Sequence, residues 1–146
     1  MPQAAKAMFE LHPAFAATSD PLGDLALSHV RIQSDARWPW IVLIPRIEGA
    51  RELEDLCAAD RARLMDEIVL AGSAIRAAGL ALDRPIAKLN VGQLGNLTPQ
   101  LHVHVVGRRL DDVAWPGPVW GVGAAQAYEP VALSTAVDVM RKALAL

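Results

Sequence analysis

Residues 99–106 read PQLHVHVV, with strict alternation of polar and apolar side chains from Gln100 to Val105. In an extended chain successive side chains point to opposite faces, so Gln100, His102 and His104 share one face at roughly 7 Å intervals. Leu101, Val103 and Val105 face the other way, as expected for a strand laid on an apolar core. Two of the four histidines of the chain stand on the polar face. From the residues alone three readings of that face stay open: a solvated sheet surface, half of a metal site, and a catalytic row. Histidines on alternate strand positions can share one ion, but zinc needs a third protein ligand, which only His29, His12 or a carboxylate such as Asp35 could supply. Without metal, a neutral imidazole is a competent nucleophile at pH 7, toward phosphorus as well as toward carbonyl carbon.

Upstream of this strand, residues 92–98 (GQLGNLT) form a loop in which Gly92 and Gly95 allow close approach of backbone N–H groups, while Asn96 and Thr98 add side-chain donors. Residues 85–92 and 99–109 are read as two strands, and residues 40–45 (WIVLIP) as a strand covered on both faces. Residues 25–33 form a further strand candidate, joined to 40–45 by a short polar connection that fits an antiparallel pair. Leu64, Ile68, Ala71 and Ile75 recur at helical spacing between residues 59 and 78, with Arg61, Arg63, Asp66 and Glu67 on the expected solvated face and Gly79 as the expected stop. Leu133, Val137, Met140 and Leu144 mark a second amphipathic helix over 131–146. Residues 4–15 are read as a short helix stopped near Pro13, residues 18–24 (TSDPLGD) as turns, and the Trp/Pro/Gly-rich residues 111–123 as irregular. The fold class is α+β, an antiparallel sheet with helices packed on it.

The chain has 146 residues, 53% hydrophobic and 21% charged, which suits one packed domain over residues 1–146 and excludes an extended polar tail. Fourteen Lys and Arg stand against sixteen Asp and Glu, for a net charge of −2. That balance gives no field to hold a nucleic-acid polymer, although local donors can still bind a small anion. Cys57 is the single cysteine, so neither an intrachain disulfide nor a cysteine zinc site is expected, in keeping with a reducing, cytoplasmic setting. No apolar run approaches membrane-span length, and no membrane partner or leader segment is expected. Arg46, Arg108 and Arg109 are read as surface residues, Trp38 and Trp40 as core or dimer contacts, and His12 and His29 as structural or exposed. Trp115 and Trp120 are read either as pocket lining or as an edge cover.

The stretch QLHVHVV resembles the signature of the histidine triad (HIT) family, His-x-His-x-His followed by two apolar residues. NVGQLGNLTPQLHVHVVGRR, LSHVRIQSDARWPWIVLIPR and WPGPVWG extend the resemblance over roughly residues 8–121, leaving 122–146 as a C-terminal extension with its own helix. The resemblance implies a sheet of about five antiparallel strands with two main helices, a homodimer, no cofactor and no metal. It also implies hydrolysis or transfer at the α-phosphate of nucleotide substrates such as dinucleoside polyphosphates and nucleoside phosphoramidates. The middle histidine of the family, its nucleophile, falls on His102, and the third, a phosphate contact, on His104. Asn96, with the backbone of Gly95 and Leu97, takes the place of the phosphate cradle, Asn90 lies near another polar phosphate-side position, and Ser34 or Asp35 is the candidate for the ribose hydroxyls. The departure is Gln100 in the first histidine position, because an amide carries no proton that titrates near pH 7. Polyphosphate leaving groups need less protonation than amines, so the substitution tilts the expectation toward dinucleoside polyphosphates. A metal-dependent hydrolase and a nucleotide-binding protein of low turnover are the competing readings.

Overall fold

The computed structural model describes residues 8–146, so residues 4–7 of the expected first helix lie outside the described part. Pro13 starts that helix instead of stopping it: α1 spans Pro13–Thr18, with Pro13 in its first turn and the His12 side chain accepting the Ala14 N–H. Proline at this position loses no helical hydrogen bond, and its fixed φ suits the first turn. Five strands follow, β1 (Ser19–Asp24), β2 (Ser28–Gln33), β3 (Trp40–Pro45), β4 (Lys88–Gly92) and β5 (Val103–Arg108), with α2 (Ala58–Ala81) between β3 and β4 and α3 (Pro130–Ala143) at the end. The sheet order is β1-β2-β3-β5-β4, antiparallel throughout.

The turn reading of residues 18–24 is overturned. The segment is an edge strand, and its proline and glycine sit at an irregularity in the register between Pro21 and Gly23. Edge strands tolerate such residues because one edge of the backbone needs no partner. Leu25 to Leu27 lie outside β2, so the expected 25–33 strand starts three residues late.

One face of the sheet carries Val30, Ile32, Ile41, Leu43 and Val105 against Ala71, Ala74, Ile75 and Ala78 of α2 and Ala136, Met140 and Leu144 of α3. The spacing read in both helices therefore marks their buried sides. Glu67 is an exception to the solvated face assigned to it. It is buried, and its carboxylate accepts the Leu27 N–H at 2.7 Å and the Ser28 N–H at 3.1 Å. A carboxylate that accepts two backbone N–H groups keeps its solvation inside the protein. Gly79 also differs from its expected role, since α2 runs past it to Ala81; a Cβ there would stand 2.7 Å from the Arg84 carbonyl and from Ile86, so glycine permits the close return of the chain.

The other face is aromatic. Trp40, Val42, Ile44 and Val106 gather Phe15, Trp38 and Val119, with Phe9, Leu11 and Trp120 packed around them. The strand register pairs Arg31 with Val42, Val42 with His104 and His104 with Gly92, so these residues form one row across the sheet on this face. His29 and Arg31 lie at its far end in a closed network. Arg31 donates to the Ser19 hydroxyl and carbonyl, each at 2.7 Å, and to His29 Nε2 at 3.2 Å, while His29 Nδ1 donates to Asp24 at 2.6 Å.

Candidate active site

His102 and His104 come together on the aromatic face, with ring centroids 5.0 Å apart and planes at 77°. Their hydrogen bonds assign opposite tautomers. His102 Nδ1 lies 2.6 Å from the Gln100 carbonyl oxygen. A carbonyl can only accept, so in the neutral ring the proton is on Nδ1 and the lone pair on Nε2. His104 Nδ1 lies 2.9 Å from Trp40 Nε1. An indole N–H can only donate, so here the lone pair is on Nδ1 and the proton on Nε2. The pair thus offers one nucleophilic nitrogen and one hydrogen-bond donor.

Both rings are held neutral at pH 7. Burial pushes His102 below the ordinary imidazole value and outweighs the opposing effect of its bond to the Gln100 carbonyl. Burial, joined by the charge of a protonated His102, brings His104 down to about 4. Phe15 stands edge-on to His102 at 4.9 Å, and Trp40 and Trp120 flank His104 at 5.5 and 5.6 Å. Gly92 makes room for Trp120, since a Cβ on residue 92 would stand 2.8 Å from the indole. These aromatic walls supply the burial that depresses both imidazoles.

The other expected site residues are placed less uniformly. Asn90 shares the histidine face on β4, but its Oδ1 accepts from Arg108 at 2.8 Å. Arg108, expected at the surface, is buried, closed by Asp112 through bonds of 2.8 and 3.0 Å. Asn96 and Leu97 are exposed in the loop before β5, and Gly95 takes φ +76°, a conformation that favours glycine. Ser34 is exposed beside a cavity of about 320 Å³ that neither histidine lines. Asp35 is buried, grasped by Arg37 at 2.8 Å and by the Arg37 and Gln126 N–H groups, which makes it a tie between two loops. Gln100 turns away from the imidazoles toward the backbone of Glu10 and His12.

The residues missed by sequence reasoning are Trp40 and Phe15. Trp40 pairs with Val106, one diagonal step from His104, and only the β3–β5 register brings it there. Phe15 arrives from a helix that begins at Pro13, where the sequence reading ends one. The Trp40 assignment predicts that Trp40→Phe, which keeps the ring and deletes the donor, frees His104 to move its proton to Nδ1. Turnover should fall on the order of tenfold to a hundredfold, somewhat less than the 10²–10³ typical of removing an oxyanion donor outright. Steady-state rates beside an NMR count of the His104 tautomers check this, and an unchanged tautomer ratio contradicts it.

Among the described residues no three His, Cys, Asp or Glu side chains form a metal-holding group. The three candidates for a third ligand are each engaged elsewhere: His29 with Asp24 and Arg31, His12 with the Ala14 N–H, and Asp35 with Arg37. No helix among them is long and apolar enough to cross a membrane.

The same architecture recurs in solved structures. A histidine triad protein from Bradyrhizobium japonicum is 38% identical, with a TM-score of 0.86 over 94% of this chain and 99% of that one. Histidine triad proteins from Sinorhizobium meliloti (35%, TM-score 0.85, 92% and 96% of the two chains) and Marinobacter aquaeolei (34%, TM-score 0.85, 95% and 98%) are similar in the same way. No curated protein matches. The HIT domain family model matches residues 15–111, a span that holds the five-stranded sheet and both site histidines, and the chain belongs to the HIT domain family.

Proposed function

We propose that the protein binds a nucleotide substrate and cleaves it at the α-phosphate through a nucleotidyl-histidine formed on His102. The observation that carries this reading is the opposed tautomer pair, a lone pair on His102 Nε2 beside a proton on His104 Nε2. In the first step the Nε2 lone pair forms the N–P bond while the leaving-group bond breaks and its electron pair departs with the leaving group. His104 Nε2–H donates to a non-bridging oxygen, where negative charge gathers. In the second step water or another acceptor attacks phosphorus, loses its proton to solvent, and returns the N–P electron pair to His102. Hydrolysis is the first reading. Transfer to an acceptor is the second, favoured by the 6% exposure of His102, which restricts water at the reacting nitrogen.

The exposed Asn96 amide, with the Gly95 and Leu97 backbone, is proposed to meet the phosphate chain from the loop, and Ser34 and Asp35 to take no direct part in cleavage. Gln100 supplies no acid, so dinucleoside polyphosphates, whose leaving phosphate departs as an anion, are preferred to amine phosphoramidates. A panel containing both classes tests the choice, and faster turnover of an unactivated phosphoramidate contradicts it.

The pH profile carries a signed expectation. The nucleophile must be neutral and His102 is depressed, so the acid limb of kcat/KM falls below the ordinary imidazole value of 6.5. A limb at or above that value contradicts the buried nucleophile.

The assembly is proposed to be a homodimer joined through β4. This strand lies at the edge of the sheet, Val91 on it is 52% exposed, and Leu53, Met65 and Ile68 line an apolar cavity of about 350 Å³ beside it. Val91→Lys is expected to convert the dimer to monomer in light scattering; a parent that is monomeric at micromolar concentration contradicts the assignment.

A further inference from the structure

Gln100 stands where the family signature has a histidine, and both ends of its side-chain amide are engaged by another part of the chain. Its Oε1 accepts the His12 N–H at 2.9 Å and its Nε2 donates to the Glu10 carbonyl at 2.9 Å. A primary amide can serve a carbonyl and an N–H two residues apart on one extended edge, as a neighbouring strand would. What this grip secures runs directly over the nucleophile. Phe9 and Leu11 pack into the Trp38–Trp40–Val119 cluster on one side of the latch. On the other side His12 caps α1, and α1 presents Phe15, 6% exposed, to the His102 ring at 4.9 Å. Glu10–Pro13 also wall a cavity of about 330 Å³ against Gly49–Arg51, Pro99 and Gln100.

We propose that Gln100 is a positioning residue: its amide latches residues 9–15 as a strap that seats Phe15 on the His102 imidazole, fixing the nucleophile and shielding it from water. The proposal rests on His102 being the nucleophile. It gives position 100 a role that needs no titrating proton, which is why glutamine serves there. Of the elements packed on the imidazole, β5 supplies His104, the strap supplies Glu10 and His12 at the latch, and α1 and β3 bring no charged side chain. The burial that depresses His102 therefore comes from the strap and the aromatic walls, and opening the strap relieves it.

The test uses Gln100→Leu, which removes both latch bonds, and Gln100→Glu, which keeps the acceptor for His12 N–H and sets a carboxylate oxygen against the Glu10 carbonyl. Three readouts are taken on each: hydrogen exchange of the backbone amides of residues 9–15, kcat and KM separately, and the acid limb of kcat/KM. Both variants are expected to exchange the His12 amide faster and to lose kcat on the order of tenfold to a hundredfold as the imidazole loses its fixed position, and Gln100→Leu, which adds no charge, to move the acid limb upward toward the ordinary imidazole value. KM is expected to hold, since neither latch bond involves the loop groups proposed to meet the phosphate chain. If Gln100→Leu prevents folding, the Gln100→Glu protein carries the test through amide exchange and kcat, since its carboxylate raises a nearby imidazole by charge alone. Unchanged exchange and kcat in a folded variant overturn the latch. A parent protein that forms no adduct on His102 overturns the underlying nucleophile assignment instead, so the two failures are told apart.

Discussion

His102→Ala is expected to abolish turnover, with kcat/KM falling by at least about 10⁴-fold, because the atom that forms the N–P bond is gone and no neighbouring group can replace it. His104 cannot take over. Its Nε2 holds the proton while Nδ1 accepts from Trp40, so the only free lone pair on the pair of rings belongs to His102. His12 is no substitute either, with Nδ1 engaged by the Ala14 N–H at 3.1 Å. Binding should survive, since the loop donors and His104 remain, so the variant is expected to retain nucleotide affinity within a few-fold while losing turnover. A His102→Ala protein that turns over at the parent rate contradicts the assignment.

Asp112→Ala is expected to be the most destabilising single change at the periphery of the site, by about 3–5 kcal/mol, because it leaves the Arg108 guanidinium buried without its counter-charge. Arg108 is 1% exposed and makes two of its three hydrogen bonds to Asp112, the third going to Asn90. A loss of this size is a large share of the stability of an ordinary domain. Burial raises the Asp112 carboxyl, but the Arg108 side chain and the Arg109 and Ala114 N–H groups more than offset it and bring it down to about 2 from its ordinary value of 3.8. The folded state therefore resists protonation that the unfolded state accepts. The stabilising contribution is fully present above about pH 4 and is lost as the pH falls toward 2. His104 adds a second acid-sensitive contribution. It resists protonation down to about 4 when folded, so stability also declines as the pH drops below the ordinary imidazole value of 6.5. Chemical denaturation of Asp112→Ala at neutral pH, beside an acid titration of Asp112→Asn, measures both effects; a loss under about 1 kcal/mol contradicts the buried-pair account.

Period and composition carried much of this architecture. The 3.6-residue spacing in 59–78 and 131–146 marked α2 and α3, since burial of one face is what such periods report, while the period of two in 99–106 marked β5 too early: the strand begins at Val103, so Gln100 and His102 precede it, and both of its faces are covered. The edge strand β1 escaped because its proline and glycine are turn residues in the middle of a sheet and are tolerated only at an edge, a fact that follows from sheet order and not from the segment itself. Glu67 escaped because its partners are backbone N–H groups about forty positions away, which leave no local trace. At the site, His102 and His104 were legible from alternation and signature. Their tautomers were not, because each is fixed by a single long-range or backbone partner, Trp40 for one and the Gln100 carbonyl for the other. Asp35 shows the converse: the right residue type close to the expected place, drawn into an ion pair with Arg37 two residues on.

A covalent nucleotidyl group carried by one nitrogen is the central claim. Brief mixing of the protein with a panel of dinucleoside polyphosphates and nucleoside phosphoramidates, followed by a denaturing quench, intact-mass measurement and peptide mapping under mildly alkaline conditions that preserve a phosphoramidate bond, tests it most directly. The expected result is a mass increase of one nucleotidyl group in the peptide containing residues 99–106, fragmenting to His102 and missing from His102→Ala. Turnover of the same substrates with no such adduct at any time point, or an adduct on His104 or His12, contradicts it.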